Sequence, residues 1–205
     1  MIDGVTRKVK KRYVVVDGVT RKLKKSYRVV DGVTHLTYSS GTYVVHPTVA
    51  LTAETSNGYT ATCSTHNSNS YAAWKAFNKE YSSAYGWVSK ASSTDSSPHI
   101  KLYIPSAVNI VKVSIANRTH ASYVNGVIAA TIQGSVDGST WTTICTISGR
   151  DGATSALLTD HECIDTGTLY QYVKINPTNW KNKGVSGGNS YVAIGEIYIT
   201  CLVED

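Results

Sequence analysis

Between Val49 and Cys201 the chain passes through eight short runs in which β-branched or aromatic residues alternate with polar ones: "VALTAET", "YTATCST", "HIKLYIP", "NIVKVSIAN", "VIAATIQGSVDG", "WTTICTIS", "YQYVKINP" and "VAIGEIYITC". Ser-, Asn- and Gly-rich turns separate them. A period of two buries one face of a strand, and strands this short bury a core only by stacking in layers. The expectation is an all-β chain, a jelly-roll β-sandwich, with one short helical turn at "SYAAWKAFN". The usage agrees, with 14 Tyr but a single Phe and a single Met.

A different pattern precedes this region. Asp-Gly-Val-Thr recurs at Asp3, Asp17 and Asp31, a period of 14, and Arg7-Lys8 and Lys10-Lys11 return as Arg21-Lys22 and Lys24-Lys25. Asp-Gly between alternating β-branched runs is a strong hairpin signal, because both central residues of a type I′ turn need positive φ. The repeat is expected to form a β meander, with a 14-residue solenoid coil as the alternative. A ribbon of two or three strands is marginal in water unless something covers it, so residues 1–46 read as an arm that packs on a partner or on its own copies. Residues 47–205 read as the sandwich.

The charge divides in the same way. Residues 1–28 hold ten Lys/Arg against Asp3 and Asp17, a balance of +8, while the rest of the chain holds ten against twelve acids, a balance of −2. Base-stacking aromatics are sparse in the basic arm, so no nucleic acid is expected as a partner. No stretch approaches the roughly 20 apolar residues of a membrane span, and no secretion leader is evident. Cys63, Cys145, Cys163 and Cys201 are widely spaced without a CxxC, which suits buried thiols better than zinc or disulfides.

Five segments from about Thr48 to Cys201 resemble, in order, the discoidin or coagulation-factor C-type family, which includes galactose-binding-like carbohydrate-binding modules. "YAAWKAFNKEYSSAYGWVS" is similar to its Ala-Phe-Asp-Gly stretch, "HIKLYIP" to its next strand and "IQGSVDGSTWTTI" to its Asp-Gly hairpin. "YQYVKI" and "AIGEIYI" resemble its last two strands. The resemblance implies a discoidin-like jelly roll with a ligand face made of loops at one end. It also implies a structural calcium, here held by Asn78 and Glu196. Asn78 stands where the family has Asp and Lys79 where it has Gly, so a Lys79–Glu196 ion pair is the alternative.

Trp74, Phe77 and Trp87 are expected in the core. The exposed-looking loop residues are His66, Asn67 and Tyr71; Arg118, His120 and Tyr123; and Trp180, Asn182, Lys183 and Tyr191. Sugars need an aromatic platform for their C–H faces and polar side chains for their hydroxyls. Trp180, set among polar residues and glycine, is the expected platform, with a lid over the core as its alternative role. Asn182, Tyr191, Arg118, His66 and His120 are the expected ligand partners, although His66 and His120 also suit ordinary loop positions.

Carboxylates are scattered singly through turns, and no GxSxG, HExxH or phosphate loop appears, so the chain is expected to bind and not to catalyse. The iterated arm resembles short repeats of tailed-phage virion structural proteins. That resemblance implies a tail, baseplate or fibre component assembled in the host cytoplasm. Its residues 1–46 would hold other virion proteins, its module would meet a host-surface glycan, and it would form homo-oligomers. A head or tail decoration protein that binds no sugar is the alternative.

Overall fold

The computed structural model describes residues 12–16, 19–23, 25–30, 33–39, 41–81, 85–120, 123–182 and 190–203. Eleven strands build the sandwich: β5 (Thr42–His46), β6 (Thr55–Ser56), β7 (Tyr59–Cys63), β8 (Trp87–Val88), β9 (Ile100–Ala116), β10 (Val127–Ser135), β11 (Thr142–Ile147), β12 (Leu158–Glu162), β13 (Tyr170–Trp180), β14 (Ala193–Ile194) and β15 (Glu196–Val203). The fold is an all-β sandwich of the jelly-roll type.

Two of the expected strands are one. "HIKLYIP" and "NIVKVSIAN" join as the 17-residue β9, which serves both layers. Its first part lies between β7 and β13, in a sheet ordered β6-β7-β9-β13-β10-β11. Its second part, from Asn109, pairs with β15 and β12, and β15 pairs with β5. The exposed Pro105-Ser106-Ala107 segment marks the passage between the layers. "VALTAET" forms no strand beyond Thr55, and the helical turn is a pair of 3-10 turns, Asn69–Tyr71 and Ala73–Phe77.

Alternation does the packing. Ala61, Leu102, Val173 and Ile132 turn inward and are at most 2% exposed, while their strand neighbours face water. Trp87 and Phe77 sit in this core, and Trp74 packs half-buried against it. The Trp87 indole N–H donates to the Thr65 carbonyl at 2.9 Å, so its one polar atom is satisfied and the His66 loop is pinned to the core. All four cysteines are free, with Cys145, Cys163 and Cys201 buried.

In the arm, β1 (Arg12–Val16) pairs with β2 (Val19–Leu23), and β3 (Lys25–Val30) with β4 (Val33–Ser39). Two-residue gaps at Asp17-Gly18 and Asp31-Gly32 match the expected hairpins, but β2 and β3 belong to separate two-stranded sheets. Asp3-Gly4 lies outside the described residues. The strand β5 falls in the arm when the chain is divided at 46/47. It pairs with β15 from Thr42↔Val203 to His46↔Ile199, which makes it the edge of the sandwich.

Candidate ligand site in the loops

Backbone hydrogen bonds gather the separate loops at one end of the sandwich. Asn67 donates to Val88 (2.8 Å), Ser89 to Val192 (3.0 Å) and Ala193 to Asn125 (2.9 Å), so four segments run side by side in the order 66–67, 88–89, 191–193 and 125–126. The β14–β8 pairing and the Gly126–Ala193 bridge complete this row. It places His66, Tyr191 and Asn125 in one row of paired segments although they are far apart in sequence.

Arg118 follows from the next network. Arg150 is buried and fully used: it donates to Thr159 Oγ1, to Asn117 Oδ1 and to the carbonyls of Val127, Ile115 and Leu157. Burial lowers its pKa to about 10, with Asp151 offsetting part of the shift. Asn117 Nδ2 in turn donates to the carbonyls of Asp151 and Thr154. The backbone at Asn117 is thereby fixed, and the next residue is held with it. Arg118 is only 4% exposed, and its guanidinium lies 5.1 Å from the centre of the Tyr71 ring. Among the described residues its Nε–H has no hydrogen-bond partner. Burial draws its pKa down from the usual guanidinium value. An unsatisfied buried donor costs about 1–3 kcal/mol, which an incoming oxygen ligand would recover.

His66 sits in a loop that Asp95 holds. Ser64 and Thr65 hydroxyls both donate to Asp95 Oδ2 at 2.6 Å. His66 Nδ1 donates to the Ser68 carbonyl (3.0 Å), which leaves Nε2 of the neutral ring as an acceptor. This loop borders a cleft of about 650 Å³ lined by Glu54, Thr62, His66, Asn69, Trp74 and Lys90. The Lys75 ammonium covers the Trp74 ring at 4.1 Å.

The expected residues meet different fates. Trp180 is 3% exposed and belongs to the core cluster, with its indole N–H donating to Ser190 Oγ at 2.7 Å. A ring without an open face offers no stacking surface, so the platform expectation for Trp180 is corrected to the core-lid alternative. Tyr191 is half-buried in the row described above. Asn182 is exposed in a left-handed turn (φ +67°) and donates to Asn125 Oδ1 at 3.4 Å. His120 Nδ1 accepts the Tyr123 amide at 2.9 Å, a local loop contact. Lys183 lies outside the described residues. Asn125 escaped sequence reasoning. It is buried, takes φ +50°, and touches both the 191–193 strand and Asn182; the Asn-Gly pair at 125–126 was its signal.

The expected calcium position has a distinct chemistry. Glu196 is fully buried, and among the described residues neither carboxyl oxygen has a hydrogen-bond partner. Burial pushes its pKa up to about 8; the amides of Lys79, Ile197 and Glu80 face the carboxyl and restrain the rise without completing a bond. Asn78 Oδ1 accepts the Glu80 amide, and its Nδ2 donates to the Glu80 carboxylate. The Lys79–Glu196 pair is not formed, because Lys79 Nζ donates to the Thr48 carbonyl at 2.8 Å. An orphaned buried carboxylate beside further side-chain oxygens suits a hard cation. Among the described residues no group of three or more His, Cys, Asp or Glu side chains converges on one point.

The family model described as "F5/8 type C domain" matches residues 60–197. No curated protein matches the sequence. Among solved structures, CBM32-5 of CpGH89 from Clostridium perfringens, in complex with GalNAc-β-1,3-galactose, is 19% identical over 69% of this chain and 94% of its own, at a TM-score of 0.53. The family 32 module of NanJ from C. perfringens, in complex with galactose, is 15% identical over 70% and 93%, at 0.50. CBM32-3 from a family 31 glycoside hydrolase of the same organism is 15% identical over 67% and 86%, at 0.55.

These findings overturn the virion expectations. The matching structures are carbohydrate-binding modules, one of them from a bacterial glycoside hydrolase, and not phage structural proteins. Neither the tail or baseplate role, nor the decoration alternative, nor the virion location stands. The family match begins at residue 60 and does not reach the repeat.

Proposed function

The chain belongs to the F5/8 type C domain family, and we propose that its loop end binds a galactose-type sugar. It is a non-catalytic module. The observation that carries the reading is Arg118: a cation buried against Tyr71, with an Nε–H that no described residue satisfies. Vicinal sugar hydroxyls are neutral acceptors of the kind such a donor requires. His66 Nε2 can accept a hydroxyl proton, and Tyr71 and Tyr191, both half-buried, offer ring edges to the apolar sugar face. The modules of CpGH89 and NanJ, solved with galactose-containing ligands, support the choice of sugar.

Affinity is expected in the millimolar to high micromolar range, because a small polar ligand gains little in an open site. Titration with galactose and with its C4 epimer glucose tests the reading by nuclear magnetic resonance. Galactose should move the Arg118 Nε–H and Tyr191 signals at lower concentration than glucose. Failure of either sugar to move them well above millimolar concentration contradicts it.

Two further roles accompany this one. A calcium ion at Glu196, with oxygens from Asn78 and Glu80, would neutralise the buried carboxylate and stiffen the loop that follows Phe77. The arm, whose described strands form two separate two-stranded ribbons, is an element for self-association, since among the described residues each ribbon leaves pairing edges open.

A further inference from the structure

Strand register sets two rows of side chains on the solvent face of the β6-β7-β9-β13-β10-β11 sheet. Thr60, Tyr103 and Tyr172 stand abreast in one row. Thr62, Lys101, Lys174 and Gln133 stand abreast in the next. The Tyr103 and Tyr172 rings are 5.0 Å apart, and Lys174 Nζ lies 4.1 Å from the centre of the Trp141 ring. At the edge, Gly138 (φ +76°) brings the Asp137 turn so close to Tyr172 that a Cβ there would stand 3.2 Å from the ring. Thr60, Thr62, Lys101, Tyr103, Trp141 and Tyr172 line a hollow of about 280 Å³, near the lower end of ligand-pocket sizes, and Lys174 adjoins it through the Trp141 ring.

The cations at this hollow are Lys101 in its wall and Lys174 beside Trp141, while the nearby Asp137 carboxylate is taken up by Ser135, Ser139 and Thr140 of its own turn. Lys101 and Lys174 oppose each other across the β9–β13 ladder, and among the described residues neither ammonium pairs with a carboxylate. Burial and the neighbouring Lys101 lower the Lys174 pKa, as expected of two cations held together without a counter-charge. Beyond residue 28 the chain is net negative by two charges, so this is a local cationic spot and not a basic track. A single spot suits one anionic group better than a nucleic-acid backbone, which needs a succession of cations.

We propose that this hollow is a second saccharide subsite and that it takes an acidic sugar. The apolar face of a pyranose rests on Tyr103, Tyr172 and Trp141, and its carboxylate meets Lys101 and Lys174. Thr62 walls both this hollow and the His66 cleft, so the hollow adjoins that cleft. The assignment stands whether or not the loop end reads galactose.

The test uses the full chain, trigalacturonate as the acidic probe, and a neutral galactose trimer and an oligothymidylate as controls. Trigalacturonate should bind at least tenfold more tightly than the neutral trimer and weaken with added salt. The Lys101→Gln/Lys174→Gln double variant, confirmed folded by its melting curve, should remove that tenfold advantage. Trp141→Ala should weaken both trimers at this face. In Arg118→Met the acidic preference should persist, which separates this subsite from the loop end. Equal affinity for the acidic and neutral trimers, an unchanged preference in the lysine variant, loss of the preference in Arg118→Met, or oligothymidylate binding as tightly as trigalacturonate would each overturn the proposal.

Discussion

The Arg118 guanidinium lies 5.1 Å from the centre of the Tyr71 ring, and among the described residues its Nε–H meets no acceptor. Arg150, bonded to the adjacent Asn117, spends every nitrogen on a partner. The contrast separates two buried arginines of identical chemistry. One holds loops together, and the other holds a donor in reserve for something outside the chain. A cation–aromatic contact contributes about 0.5–2 kcal/mol, enough to orient Arg118 and of the same order as the one hydrogen bond that Nε–H forgoes.

Trp180 tests the distinction between lid and platform. Trp180→Ala should destabilise the fold by about 3–5 kcal/mol, as large-to-small core changes do. Trp180→Phe keeps most of the apolar volume and gives up the bond to Ser190 Oγ, and it should bind galactose like the parent at a reduced melting temperature. Loss of binding by Trp180→Phe with an unchanged melting temperature would return the ring to the ligand site.

The boundary of the sandwich is set by β5. A fragment starting at Gly41 keeps the β5–β15 ladder and should fold as a β-rich monomer, whereas one starting at Pro47 exposes the β15 edge. The shorter fragment should lose more than about 1 kcal/mol in urea unfolding, since it gives up the ladder and the His46–Tyr59 bond. Equal stability of the two fragments would place β5 outside the cooperative unit.

Acid sensitivity should trace partly to histidine. His46 and His161 are both pulled below the ordinary 6.5, chiefly by burial, with Lys79 adding at His46 and Arg150 at His161. The unfolded chain then binds the proton more readily, so their contribution falls away as pH drops below about 6.5 and levels off below the folded values. Glu196 works in the opposite direction. Raised to about 8, it favours the folded state as pH falls from there towards the carboxylate range. The difference between proteins isolates the histidine: between about pH 7 and pH 5, His46→Gln should lose less melting temperature than the parent. Identical losses would contradict the assignment.

Calcium should act on stability and not on the sugar. Chelation should lower the melting temperature and added calcium restore it, by linkage to the folded state. Glu196→Gln should remove that response while galactose affinity stays the same. A melting temperature indifferent to both treatments leaves the buried carboxyl protonated and without a metal.

Much of this was legible in the residues. The two-residue period located seven of the eight runs as strands, and the Asp-Gly pairs located the hairpins of the arm. The joining of two runs into β9 was not legible, because Pro105 reads as a terminator locally and only the pairing of both flanks keeps the chain extended. β12 and β5 were missed as sandwich strands for the same reason: each is mostly half-buried or exposed, and its partner is distant in sequence. At the site, polar neighbours suggested an exposed Trp180, but Ser190 and the core claim its ring. Asn125 carries its information in a positive φ, which a side-chain pattern does not display.

The most direct measurement pairs binding with stability in Arg118→Met. Methionine keeps the apolar stem packed beside Tyr71 and removes a buried charge that has no hydrogen-bond partner at Nε. The account predicts that galactose binding disappears while the melting temperature stays equal to the parent's or rises. A folded Arg118→Met protein that binds galactose as the parent does would contradict it.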